Sequence, residues 1–134
     1  HIAAYSTDGI NWTQTTLPAR TRLSSVCYGN DKFVAVSTDN DIVYSTDGIN
    51  WTQATLPANK YWQSVCYGNG KFVAVAYNTN IAAYSEDGIN WTQTTMPANI
   101  RPYSVCYGNG KFVAVVNYSS NVAAYLKDSF DSWA

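Results

Sequence analysis

Apolar and polar positions alternate along this chain in short runs, each closed by a turn signal. In the middle of the chain the runs are residues 64–67, 71–76, 81–85 and 91–95, rich in Val, Tyr, Phe, Trp and Thr. Such side chains fit a pleated, half-buried surface. No stretch of ten or more residues carries apolar side chains at i, i+3, i+4 and i+7 free of breakers, so helix is excluded. The first two runs are joined through Gly68-Asn69-Gly70, whose glycines suit the positive φ of a tight hairpin. The last two are joined through Asp87-Gly88-Ile89-Asn90. Leu56-Pro57 and Met96-Pro97 end a fourth run, because proline cannot donate to a ladder. The pattern predicts a four-stranded antiparallel meander.

The meander repeats. Tyr5-Ser6-Thr7-Asp8-Gly9-Ile10-Asn11-Trp12 returns from Tyr44 and again from Tyr84, at spacings of 39 and 40 residues. A second text, Ser-Val-Cys-Tyr-Gly-Asn followed by Lys-Phe-Val-Ala-Val, begins at Ser25, Ser64 and Ser104 in the same step. Four-stranded sheets at this period are what a β-propeller needs, each packing face to face on the next. A β-solenoid is the weaker alternative, since its coils do not need two glycine hairpins per repeat. The expected division is a half blade over 1–18, blades over 23–57 and 62–97, and a divergent blade over 103–134. In the last, Leu126-Lys127-Asp128-Ser129-Phe130-Asp131-Ser132-Trp133 loses the Ser and the Gly, as a capping repeat would. About three and a half blades leave open apolar faces, because propellers close with four to eight. The remaining blades of a longer polypeptide, or a second copy giving about seven blades, are therefore expected partners.

The hairpin Ser6-Thr7-Asp8-Gly9-Ile10-Asn11-Trp12 and its copies resemble the Asp-box, or BNR repeat, of sialidases and other propellers. The family pattern is Ser-x-Asp-x-Gly-x-Thr-Trp, so this box is one residue short. The fuller repeat is similar to those of bacterial secreted proteins and phage tail or fibre proteins. That resemblance implies an extracellular, cell-surface or virion setting. The residues themselves read as structural: Ser6, Ser45 and Ser85 with Asp8, Asp47 and Asp87 satisfy turn amides. Gly9, Gly48 and Gly88 supply the tight conformation, and Trp12, Trp51 and Trp91 cap the hairpin.

Composition narrows the chemistry. A net charge of -1 from 8 basic and 9 acidic residues gathers no phosphate-tracking surface, so nucleic acid is not an expected partner. The apolar runs are strand-length, so membrane insertion is not expected either. The opening residue, His1, reads as a cut or processed end. Cys27, Cys66 and Cys106 sit at equivalent positions and read as buried, unreactive thiols, with pairing open only between neighbouring inner strands. With one histidine, at the terminus, no metal site, cofactor or Ser/His/Asp set is expected. A sialidase-like hydrolase would need an arginine cluster and a Glu-assisted tyrosine, but the chain has only Arg20, Arg22 and Arg101, and its single Glu, Glu86, lies in a box hairpin. An enzyme is not expected.

Comparing the repeats with one another separates fixed from free positions. The connections 37–41, 77–80 and 117–121 between second and third strands vary, as do the blade-to-blade segments 20–23, 60–63 and 100–103. In a meander these connections share one end. That rim carries Tyr61, Trp62, Tyr77, Tyr103 and Tyr118 with Arg22, Lys60 and Arg101 nearby. Flat aromatics beside amides and hydroxyls suit sugar rings. The expected function is a non-catalytic binding or adhesion module for a glycan or surface receptor. A structural or assembly propeller in a fibre is the alternative, and part of a sialidase-like glycoside hydrolase the second.

Overall fold

A computed structural model of the chain describes residues 2–18, 21–55, 59–97, 100–116 and 123–126. These residues form strands and turns only. The strands are β1 (Ile2–Tyr5), β2 (Thr13–Thr16), β3 (Leu23–Gly29), β4 (Lys32–Ser37), β5 (Ile42–Ser45), β6 (Thr52–Gln53), β7 (Trp62–Gly68), β8 (Lys71–Ala76), β9 (Ile81–Ser85), β10 (Thr92–Thr95), β11 (Ser104–Gly108), β12 (Lys111–Val115) and β13 (Ala123–Leu126). They make four antiparallel sheets, β1-β2, β3-β4-β5-β6, β7-β8-β9-β10 and β11-β12-β13. Every strand pairs with its neighbour in sequence, as the repeat predicts. The fourth strand expected in the last unit falls outside the described residues.

The sheets meet most closely along their first strands, β3 on β7 and β7 on β11. Farther out, the fourth strand of one blade touches the hairpin of the next: the Thr15 hydroxyl donates to the Ile49 carbonyl at 2.7 Å, and Thr55 N–H donates to the Ile89 carbonyl at 3.2 Å. The core accordingly lies between blades. One layer joins Val34, Val36 and Ile42 to Trp62, Val65, Phe72 and Trp91. The next joins Cys66, Val73, Val75 and Met96 to Ile100, Val105, Phe112 and Ala114. Strand periodicity explains the split, since successive side chains on β8 face opposite neighbours.

The glycine turns act differently from one another. Asn69 and Gly70 take φ of 48° and 76°, the two positive values of a type I′ hairpin. Gly68, expected to share that role, does not take positive φ. It provides space instead. A Cβ built on Gly68 would fall inside the Tyr107 ring, and one on Gly29 inside the Tyr67 ring. β3 and β7 thus each end in a socket that receives the tyrosine of the following blade.

Candidate binding rim

Among the described residues, the variable connections 37–41 and 77–80 lie beside the blade-to-blade segments that precede them, joined by hydrogen bonds, while 117–121 falls outside the described residues. Tyr77 N–H donates to the Tyr61 carbonyl at 2.7 Å, and Thr38 N–H donates to the Arg22 carbonyl at 3.2 Å. Arg22 lies against Asp39, Nη2 to Oδ1 at 2.8 Å, with Nε also donating. Hydrogen bonding to that guanidinium, together with its charge, holds the Asp39 carboxyl below its ordinary range. Arg101 Nη1 donates to Asn78 Oδ1 at 3.1 Å.

Between these connections lies a cleft of about 360 Å³ bounded by Asn40, Asn59, Lys60, Tyr61, Tyr77 and Asn78. Tyr61 and Tyr77 present exposed rings to it. The Asn40 side-chain oxygen is buried with no hydrogen-bond partner among the described residues. Of the residues expected on the rim, Lys60, Tyr61 and Tyr77 therefore share one concavity. Arg22 is taken up by Asp39, Arg101 reaches Asn78, Tyr103 is exposed outside the cleft, and Tyr118 lies outside the described residues. Asn40, Asn59 and Asn78 were not singled out from sequence, although Asn40 and Asn78 stand in variable segments and Asn59 adjoins one.

Trp62 requires a correction. It opens β7 and is 0% exposed, packed in the layer between the first two complete blades. A register shift between Trp62 and Ser64 accompanies this placement at the start of the strand. A bulge re-aims side chains locally, which alternation read from sequence does not reveal.

The repeated hairpin closes on itself. Ser45 Oγ donates to Asp47 Oδ1 at 2.9 Å and accepts from Gly48 N–H at 2.8 Å, while Ile49 and Asn50 N–H both donate to Asp47 Oδ1 at 2.8 Å. Asn50 Nδ2 donates to Asp47 Oδ2 at 2.8 Å. The same bonds recur around Asp8 and Asp87. These donors hold Asp8 and Asp47 well below the ordinary carboxylate range; for Asp87 slight burial opposes them and loses. Carboxylates so occupied have little capacity left for a metal or substrate. Trp51 and Trp91 donate through Nε1 to the Gly48 and Gly88 carbonyls at 3.2 and 3.1 Å. Trp12, by contrast, is 64% exposed, on the two-stranded sheet β1-β2.

The three cysteines are free but not alike. Cys66 is buried, Cys27 half-buried and Cys106 exposed, so uniform burial is corrected for the last. Burial pushes the Cys27 thiol up to about 12 and raises that of Cys66 as well. Among the described residues, no three His, Cys, Asp or Glu side chains converge to hold a metal ion.

Comparison with known proteins places this geometry. Residues 1–59 match the DUF6242 beta propeller domain family. No curated protein matches the chain by sequence. Among solved structures, virginiamycin B lyase from Staphylococcus aureus superposes with a TM-score of 0.80 at 17% identity, over 94% of this chain and 45% of that one. YCF48 from Cyanidioschyzon merolae does so at 0.75 and 18%, over 92% and 39%. A structure described as YCF48 bound to D1 peptide does so at 0.73 and 20%, over 87% and 41%. This chain spans less than half the length of each, and at these identities the likeness is one of fold. The all-strand meanders, their face-to-face stacking and these comparisons agree that the chain is a stretch of β-propeller.

Proposed function

We propose that this propeller segment is a non-catalytic binding module whose ligand is a glycan seated in the Tyr61–Tyr77 cleft, in a cell-surface, secreted or virion setting. One observation carries the reading: two exposed tyrosine rings, Lys60 and the asparagines Asn40, Asn59 and Asn78 line one cleft. A sugar offers an apolar ring face to the tyrosines and hydroxyl groups to amides lining the cleft. The shortened Asp-box hairpins at the opposite end serve as structure in this reading, because their carboxylates are spent on turn amides.

The test is a glycan array with the 134-residue chain, followed by titration of any hit. Tyr61→Ala and Tyr77→Ala are expected to weaken binding by about tenfold or more, as loss of an aromatic anchor does. Trp62→Ala is expected to cost roughly 3–5 kcal/mol of stability, as a buried aromatic does. An array without a hit, or tyrosine variants that bind as well as the parent, would remove the proposal. A fluorogenic sialoside is expected to stay intact, and turnover would move the chain to the hydrolase reading.

A further inference from the structure

The cleft between the two complete blades offers a ligand hydrogen-bond donors and positive charge without any carboxylate. No Asp or Glu is among the residues that line it. Lys60, which does line it, has three N–H donors and no acceptor. Among the described residues the ion pairs are Arg22 with Asp39 and Lys71 with Glu86, so no carboxylate stands within ion-pair distance of the Lys60 ammonium.

Asn78 adds a second donor. Its carboxamide has one acceptor oxygen and one NH2 group. Arg101 Nη1 donates to the Oδ1 atom at 3.1 Å. That bond sets which way round the amide lies, because a guanidinium only donates and would meet the NH2 group in the flipped arrangement. The Asn78 acceptor is thus engaged within the protein. Among the described residues its Nδ2 donates to no group, and the side chain is exposed, so the donor is left for a ligand. Arg101, itself exposed, brings a second positive charge beside it.

The acids of the neighbouring connection are engaged elsewhere. Asp39 is held by the Arg22 guanidinium, and Asp41 Oδ1 accepts from Gln53 Nε2 at 2.8 Å. Among the described residues the other carboxylates, Asp8, Asp31, Asp47, Glu86 and Asp87, stand on the hairpin turns at the opposite end. A chain of net charge -1 therefore still presents cations and donors at this one concavity.

We propose that the sugar held in this cleft is an acidic one, its carboxylate or sulfate ester bound by the Lys60 ammonium and the Asn78 amide, with Arg101 as the residue that positions that amide. This rests on the glycan reading above and adds the class of sugar. An ionised carboxylate or sulfate only accepts hydrogen bonds, which matches groups that only donate, and hydrogen bonds to a charged group are stronger than neutral ones. Tyr61 and Tyr77 meet the apolar face of the same ring.

Calorimetric titration of the 134-residue chain with hexose oligosaccharides in three matched forms tests this: neutral, oxidised to a carboxylate at the primary hydroxyl, and sulfated there. At least one acidic form should bind about tenfold or more tighter than the neutral form, the scale of one charge-assisted hydrogen bond. The preference should shrink as salt is raised. Which acidic form binds tighter separates carboxylate from sulfate. Lys60→Gln should abolish the preference while leaving the neutral form bound as before. Asn78→Asp keeps an acceptor for Arg101 and tolerates the φ of 56° at this position, but it sets a carboxylate where the donor stood; the acidic forms should then bind no better than the neutral one. Melting temperatures should stay those of the parent, which separates lost recognition from lost folding. A neutral form that binds as tightly as the acidic ones overturns the proposal and leaves the glycan reading standing. So does an acidic preference unmoved by both substitutions, or inorganic sulfate binding as tightly as the sulfated sugar. Absence of binding by all three forms, with an array that shows no hit, removes the glycan reading and this proposal with it.

Discussion

Asp47 accepts two backbone amides on a single carboxylate oxygen and the Asn50 side chain on the other. Asp8 and Asp87 do the same. All three have folded-state acidities displaced below the ordinary value. Their ionised form is the one the fold favours, so this contribution is complete above the unfolded aspartate value of about 4 and is lost as pH falls below it. The melting temperature should therefore drop on acidification below that point. Asp47→Asn, which keeps an acceptor oxygen but not the charge, should be less stable near neutrality and less sensitive to acid. An acid profile unchanged by this substitution would show that the hairpin carboxylates contribute nothing to stability. At this scale the sequence was read correctly for the hairpins, because each Ser-x-Asp-Gly-Ile-Asn run satisfies itself within six residues. It was misread at Trp62, whose neighbours in space come from another blade.

Strand positions were legible wherever alternation and turn chemistry agreed. The predicted runs 71–76 and 81–85 coincide with β8 and β9, and 64–67 lies inside β7. What the repeats could not reveal was why the first glycine of the Gly-Asn-Gly turn is kept. Gly68 serves a ring from a strand about 40 residues away, not its own backbone. Gly68→Ala should cost roughly 1–3 kcal/mol, the usual range for overpacking. In a chemical-denaturation cycle, Tyr107→Ala should absorb much of that cost, since removing the ring removes the collision. Strictly additive losses would mean that the socket does not couple the blades.

The molecule as a whole is a row of sheets whose stabilising layers lie between them, as in repeat proteins held by nearest-neighbour contacts. The central blade has a neighbour on both faces; the half blade has one, and its Ile2, Ile10 and Trp12 side chains are exposed. In dilute solution, amide exchange should thus be slowest in β7 and β8 and fastest in β1 and β2. Uniform protection along the chain would contradict a stack stabilised between blades.

Local chemistry alone determined the meander and its turns, because hairpin geometry and side-chain alternation act over a few residues. The tertiary structure decided which variable residues share a cleft, that Trp62 is core, and that Gly29 and Gly68 are sockets while Gly108 is empty. Those facts depend on the angle and distance at which one sheet meets the next, and contacts of that kind join atoms some 40 residues apart whose pairing no local pattern encodes.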